Sequence, residues 1–317
     1  MIHHRMAAPR SNGLTAPVLQ PGPLLAWLGI FAALLWAFWP TFRRLWGDWH
    51  GSGEYSVGGL VPIVALYLLW NDRAALGRLP RRPAWLAGLA IIAVAQAAMF
   101  FGLALLFESA ERYGAILTAV GVIVLVTGRQ FSWRIKWILA FLFLMVPLPG
   151  RVHNLISGPL QDIATRSAVV TLELLGTTVS REGNVMVLNE NTRLAVAEAC
   201  SGLRMLTAFI VVAYTLAYLV NRPGWQKAVV LFSSIPVAIA CNTARLIVTA
   251  WLFLWTSSEL AEAFFHDFAG LTMMPAAVFL LALELWLMNK IVVPEAADIS
   301  PRRARRSEKR LPANAPA

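Results

Sequence analysis

Three residues of this chain carry groups that could work together as a thiol catalyst: Cys200, Arg245 and His266. Cys200 lies in Glu198-Ala199-Cys200-Ser201-Gly202-Leu203-Arg204, where a long apolar run begins. A thiol reacts as its thiolate, and a helix start or a nearby guanidinium favours that form. In a helix beginning at Cys200, Arg204 would share its face four residues on. The competing reading is a small residue that fills a helix contact. Arg245 lies in Cys241-Asn242-Thr243-Ala244-Arg245, inside another apolar run, where an arginine needs a partner or a water-filled cavity. A structural ion pair to Glu198 or Glu284 would also meet that need. His266 lies in Phe264-Phe265-His266-Asp267-Phe268-Ala269-Gly270, just before the last apolar run. An imidazole can move protons near neutral pH, though an interfacial histidine can also be idle.

Thiolate, imidazole and guanidinium are the parts of thiol-based acyl transfer. The thiolate attacks a carbonyl, the imidazole moves the proton and the guanidinium stabilises the oxyanion. Cys241 is the weaker nucleophile, because it lies one turn deeper than Arg245 and no helix start activates it. Packing is its expected role. A serine protease would need a buried Ser–His pair, and Ser201 reads better as a helix-start residue. No metal site is evident: His3 and His4 lie in a polar tail, while His50, His153 and His266 lack nearby Cys or carboxylate ligand spacing. No cofactor is expected. The two cysteines imply no disulfide framework.

The elements that must position these groups are membrane helices. The chain has 317 residues, 58% of them hydrophobic, against roughly 45–50% in soluble domains. Its mean hydropathy is +0.63. The excess sits in runs that approach or exceed the roughly 20 residues a helix needs to cross a bilayer. Eight spans are expected at about 24–42, 57–70, 84–107, 113–127, 132–148, 200–220, 228–256 and 271–288. The first reads as an anchor rather than a removed signal, since Pro40-Thr41-Phe42-Arg43-Arg44 holds no small-residue cleavage site. The expected class is an all-α polytopic membrane protein. Residues 1–23 form an N-terminal tail, 24–288 the transmembrane domain and 289–317 a basic tail.

The net charge of +10 could suggest a nucleic-acid partner. Its distribution argues against that. Taking the N-terminus as inside, the inner segments carry 18 Lys/Arg against four acids, and the outer ones seven against twelve. Lys/Arg asymmetry of this kind orients a membrane protein, so both ends are expected in the cytoplasm. The basic tail either contacts anionic lipid headgroups or only enforces this topology.

Residues 149–199 form the one long outer loop. It opens on Pro147-Leu148-Pro149-Gly150, a stop signal. Residues 155–176 then show a helical pattern, expected as an amphipathic or partly re-entrant helix on the outer, periplasmic surface. Residues 178–198 alternate polar and apolar in short stretches and read as a small β-hairpin turning near Asn189-Glu190-Asn191. That hairpin leads directly to Cys200. About 20 residues from Ala228 reach Val248, which places Arg245 close to the same outer level as Cys200 and puts Trp251 and Trp255 in or beyond the interface.

The stretches around Cys200, Arg245 and His266, from Glu198 to Arg204, Pro236 to Leu246 and Phe265 to Gly270, resemble the exosortase/archaeosortase family of integral-membrane cysteine transpeptidases. Weaker echoes are Pro147-Leu148-Pro149-Gly150, Pro159-Leu160-Gln161 and Tyr55-Ser56-Val57-Gly58. The resemblance runs from about Pro40 to Trp286. It implies Cys200 as nucleophile, Arg245 as the stabilising arginine and His266 as acid/base. Arg204, Glu198, Asn242 and Asp267 are implied as supporting or substrate-binding residues. It also implies exported protein substrates with a C-terminal Pro-Glu-Pro-type motif, a membrane helix and a basic end, cut outside the bacterial inner membrane and passed to an acceptor, often alongside exopolysaccharide production. Val57 stands where many relatives have histidine, which bears on subfamily rather than on chemistry. The contrasting class is a non-enzymatic transporter or polysaccharide-export component. It would line a mid-membrane path with polar residues, whereas Glu284 is the only acid in an expected span.

Overall fold

A computed structural model describes residues 21–51, 55–105, 107–183, 185–189, 192–195, 202–256 and 269–291. Among them, the helices are α1 (Pro21–Ala37), α2 (Trp39–Gly51), α3 (Leu60–Asn71), α4 (Arg73–Leu76), α5 (Trp85–Ala104), α6 (Glu108–Thr127), α7 (Arg129–Arg134), α8 (Lys136–Phe141) and α9 (Gly150–Leu174). Three strands follow, β1 (Val179–Glu182), β2 (Val185–Leu188) and β3 (Thr192–Ala195), then α10 (Leu203–Leu219), α11 (Gly224–Trp255) and α12 (Ala269–Ile291). Short 3-10 turns over Ser56–Gly59 and Leu142–Met145 lead into α3 and continue α8. Residues up to Arg44 form one compact unit, and those from Leu45 onward form another.

Each of the eight expected apolar segments contains helix. Residues 85–104, 109–127 and 224–255 are long and apolar enough to cross a bilayer alone. The segment Lys136–Met145 passes the same test only together with α9, from which it is bent by 83°. Four shorter apolar helices lie at 27–37, 56–71, 203–219 and 275–288. The protein is a polytopic helical membrane protein.

Three expectations need correction. The span at 24–42 is not one helix: α1 ends at Ala37, and Pro40 falls in the first turn of α2, where its missing N–H costs nothing. The span at 132–148 is also broken. Val146 is extended at ψ 129°, as a residue before proline prefers, and Pro147 and Pro149 supply no N–H to continue a helix. Residues 108–112, expected as a loop, form the first turn of α6. Arg112 is paired there with Asp48 at 2.9 Å. The expected hairpin is present as β2 and β3, and β1 adds a third antiparallel strand in register Val179↔Leu188. The amphipathic helix exists but begins at Gly150, directly after Pro149.

Small residues set how the helices pack. The α5–α6 hairpin is closely apposed: a Cβ at Gly121 would lie 2.7 Å from Ile92 Cγ1, and one at Gly114 would overlap the Met99 side chain. Gln96 Nε2 donates to Thr118 Oγ1 across the pair at 3.0 Å. A core of Val61, Leu68, Ile138 and Phe141 joins α3 and α8 to Ala208 and Val211 of α10. A second core joins Leu203, Leu206 and Phe209 of α10 to Val230 and Ala238 of α11 and to Ala277 and Leu281 of α12. A third seats the sheet on α11, with Leu172, Val179, Met186 and Leu188 against Leu246 and Ala250. This third core explains why α11 is longer than a bilayer requires: its last turns carry the sheet.

Candidate active site

Helices α10 and α11 are joined by only four residues, so they run antiparallel as neighbours. With Leu219 level with Gly224, counting back at an equal rise brings Gly202 level with residue 241. The structure bears this out. A Cβ at Gly202 would lie 3.3 Å from Asn242 Nδ2 and 3.7 Å from Leu160 Cβ of α9. Gly202 caps α10 with φ 62°, a left-handed value that glycine adopts without strain. The helix therefore begins at Leu203 rather than at Cys200. Arg204 lies in its first turn, and the face it was expected to share with Cys200 lies outside the described residues.

Asn242 is buried at 2% exposure, and its Oδ1 accepts from Arg245 Nη2 at 2.9 Å. The guanidinium is thus tied back to its own helix one turn below, beside the chain that enters α10. Leu160, Gly202, Leu206, Ala238, Ile239 and Asn242 enclose a cavity of about 10 Å³, room for roughly one water beside the amide. Cys241 is partly buried against the α10–α11–α12 core, in keeping with a packing role. Arg204 lies exposed in the first turn of α10, and its carbonyl accepts from Thr207 Oγ1 at 2.9 Å.

The sheet packs beside this point. β3 ends at Ala195, and Leu246, one residue beyond Arg245, supports the sheet's core. Asp162 of α9 fastens β1 by accepting from Arg181 Nη2 at 2.5 Å, and it also pairs within α9 with Arg166 Nε at 2.9 Å. The Arg181 guanidinium, with help from Arg166, holds the Asp162 carboxyl below the usual carboxylate range. Residues 196–201 thus connect a sheet seated beyond Arg245 to a helix start seated against Asn242.

A second register places α12. Ser233 Oγ donates to Glu284 Oε2 at 2.6 Å, which sets these residues level. Counting from them, residue 272 of α12 is level with Arg245, and Ala269 lies about one turn beyond it. Glu284 itself is about 18 Å down the bundle from Arg245 by the same count, too far to be its ion-pair partner. Cys200, Glu198, His266 and Asp267 lie outside the described residues. Of the proposed set, the structure brings Asn242 and Arg245 together and places Arg204 on α10.

One nearby pair had no signal in the sequence. Tyr55 Oη and His153 Nδ1 are hydrogen-bonded at 2.7 Å across 98 residues. The turn bearing Tyr55 is held by Trp49 Nε1, which donates to Met145 O at 3.0 Å. It is held also by Gly58, where a Cβ would lie 2.9 Å from that same oxygen. This accounts physically for glycine at the end of the Tyr-Ser-Val-Gly stretch. His153 and Leu160, seven residues apart, fall on one face of α9, so the pair lies about 10 Å along the helix from the residue that meets Gly202.

A family model described as transmembrane exosortase (Exosortase_EpsH) matches residues 46–283. No curated protein and no solved structure matches the chain.

Proposed function

The chain belongs to the transmembrane exosortase family, and from that premise we propose that it is a membrane-embedded cysteine peptidase and transpeptidase. Its site faces the periplasm from the bacterial inner membrane. Its substrates are exported proteins whose C-terminal tail carries a Pro-Glu-Pro-type motif, a membrane helix and a basic end. The observation that carries this reading is the seating of Gly202 against Asn242, whose Oδ1 holds Arg245. Cys200 precedes Gly202 by two residues, and two residues of chain reach at most about 7 Å. A leash that short supports a thiol within reach of the turn that bears the guanidinium. His266 precedes Ala269 by three residues, a leash of about 11 Å from a helix start one turn beyond Arg245.

In this reading the Cys200 thiolate adds to the scissile carbonyl, and the Arg245 guanidinium donates to the oxyanion that forms. The C–N bond breaks as His266 gives its proton to the departing amine, leaving an acyl thioester. An acceptor amine or hydroxyl, or water, then attacks. His266 takes its proton and the thiolate departs. Arg204, Glu198, Asn242 and Asp267 support the reacting groups or the bound tail. A substrate held by its own membrane helix presents its cut site at a fixed depth, which lowers the entropic cost of meeting the thiol.

The test is a tagged reporter ending in a Pro-Glu-Pro sorting tail, co-expressed with the wild type or with Cys200→Ala. Tail removal by the wild type alone supports the reading. Processing by an inserted Cys200→Ala protein would remove Cys200 as the nucleophile. No processing by either would weigh toward another recognition motif or a non-enzymatic export role.

A further inference from the structure

Opposite the candidate active site, the other end of the bundle gathers cations and tryptophans. Tyr218 Oη near the end of α10 donates to Asp72 Oδ2 at 2.8 Å, just past the end of α3. Tyr214 Oη donates to the Trp137 carbonyl of α8 at 2.7 Å, and Arg134 of α7 lies 3.7 Å from Asp72. These contacts bring the ends of α3 and α10 and the α7–α8 corner to one place. Asp72 is the only acid among residues 70–82 and 128–137, and its carboxylate is already shared between Tyr218 and Arg134.

Two further cations lie over aromatic rings here. The Arg73 guanidinium is 4.0 Å from the Trp70 ring centroid. The Lys136 ammonium is 3.7 Å from Trp133 and 5.2 Å from Trp137. Trp70 and Trp133 are each about two-thirds exposed, and Trp137 more than half. Cations interleaved with exposed tryptophan mark the headgroup level of a bilayer. From Trp70 an exposed apolar stripe runs along α3 through Tyr67, Ile63 and Leu60, spaced three and four residues as one helix face requires. From Leu60 to Trp70 the helix rises about 15 Å, the hydrocarbon depth of one leaflet.

We propose that this surface is a binding site for one anionic phospholipid. Its phosphate lies on Arg73 and Lys136 between the tryptophan rings, and its acyl chains lie along Leu60, Ile63 and Tyr67. Charge complementarity selects the headgroup. Arg73 and Lys136, the two cations over tryptophan rings, add to the one paired with Asp72, so a zwitterionic lipid would bring its own ammonium against them while an anionic one would not. The stripe selects a lipid over a free phosphate, because half of the surface is apolar and a leaflet deep. The site stands independently of the proposed peptidase activity.

The experiment reconstitutes the full chain in mixed phosphatidylcholine and phosphatidylglycerol nanodiscs and weighs the lipids retained on release by native mass spectrometry. The wild type is expected to retain phosphatidylglycerol selectively. The Arg73→Gln/Lys136→Gln double variant should lower that retention roughly tenfold or more, while Arg151→Gln, at the other end of the bundle, should leave it unchanged. Matching circular dichroism and thermal unfolding of the variants guard against misfolding. Equal retention of both lipids, or retention unchanged in the double variant, would overturn the proposal. So would binding of inorganic phosphate alone with the same dependence on Arg73 and Lys136.

Discussion

At the scale of single residues, the candidate site depends on a glycine and an amide. Gly202 is the point at which the chain turns from the cysteine segment into α10, with φ 62° and Asn242 Nδ2 3.3 Å from where a side chain would begin. Gly202→Ala meets both obstacles. The left-handed backbone costs about 1–2 kcal/mol for a residue with a Cβ, and the asparagine must also move. We expect a lower unfolding temperature in detergent and a drop in reporter processing of roughly 10- to 100-fold, since small misplacements of reacting groups are costly. Arg245→Lys tests a different property. Lysine keeps the charge but loses the planar fork, one nitrogen of which holds Asn242 and another of which would donate to the oxyanion in the proposed mechanism. Processing should fall by roughly 10²- to 10³-fold, as when an oxyanion donor is removed, with membrane insertion unchanged. Near-normal processing would instead make Arg245 a structural residue.

At the scale of elements, glycine spacing in α5 and α6 lets two helices lie backbone to backbone. Close approach substitutes for the hydrophobic drive that lipid-embedded helices lack. Gly121→Leu would place its first carbon 2.7 Å from Ile92 Cγ1 and would force the pair apart, stretching the Gln96–Thr118 hydrogen bond of 3.0 Å. The expected result is a destabilisation of about 1–3 kcal/mol, typical of overpacking, read as a lower midpoint of unfolding in detergent. A wild-type midpoint would show that the hairpin can open without penalty. The α9 helix and its sheet have another task. They rest on the end of α11 through Leu246 and Ala250.

At the scale of the whole molecule, the charge pattern and the helix connections predict one topology. The loop 220–223 and residues 128–136 should face the cytoplasm, and the chain following α11 the periplasm. Alkaline phosphatase fused after Trp255 should be active, and the same enzyme fused after Leu219 inactive. The reverse pattern would invert the protein and place Arg245 at the cytoplasmic face, where an exported substrate's tail could not reach it.

Local pattern and tertiary structure divided this protein between them along physical lines. Long apolar runs, loop charges and prolines act within a few residues of chain, so the eight apolar segments, the amphipathic α9 and the turn near Asn189 were all legible in the sequence. The break at Val146 was half legible: Pro147 and Pro149 announce a stop, but not that the helix before them would already tighten into a 3-10 turn. The hairpin region was legible, but not its third strand: a four-residue strand is stabilised by its partner, and Val179 gains its meaning only opposite Leu188. The cysteine, arginine and histidine stood out by type, yet only the register of α10 on α11 seats Gly202 against Asn242. Tyr55 and His153 lie 98 residues apart, and only the packing of one turn across Met145 makes them a pair. Composition and periodicity determined that this chain lives in a membrane and which segments are helical, because lipid demands internally bonded backbone. Which side chains share a site was decided by helix packing, where each residue's neighbours come from distant parts of the chain.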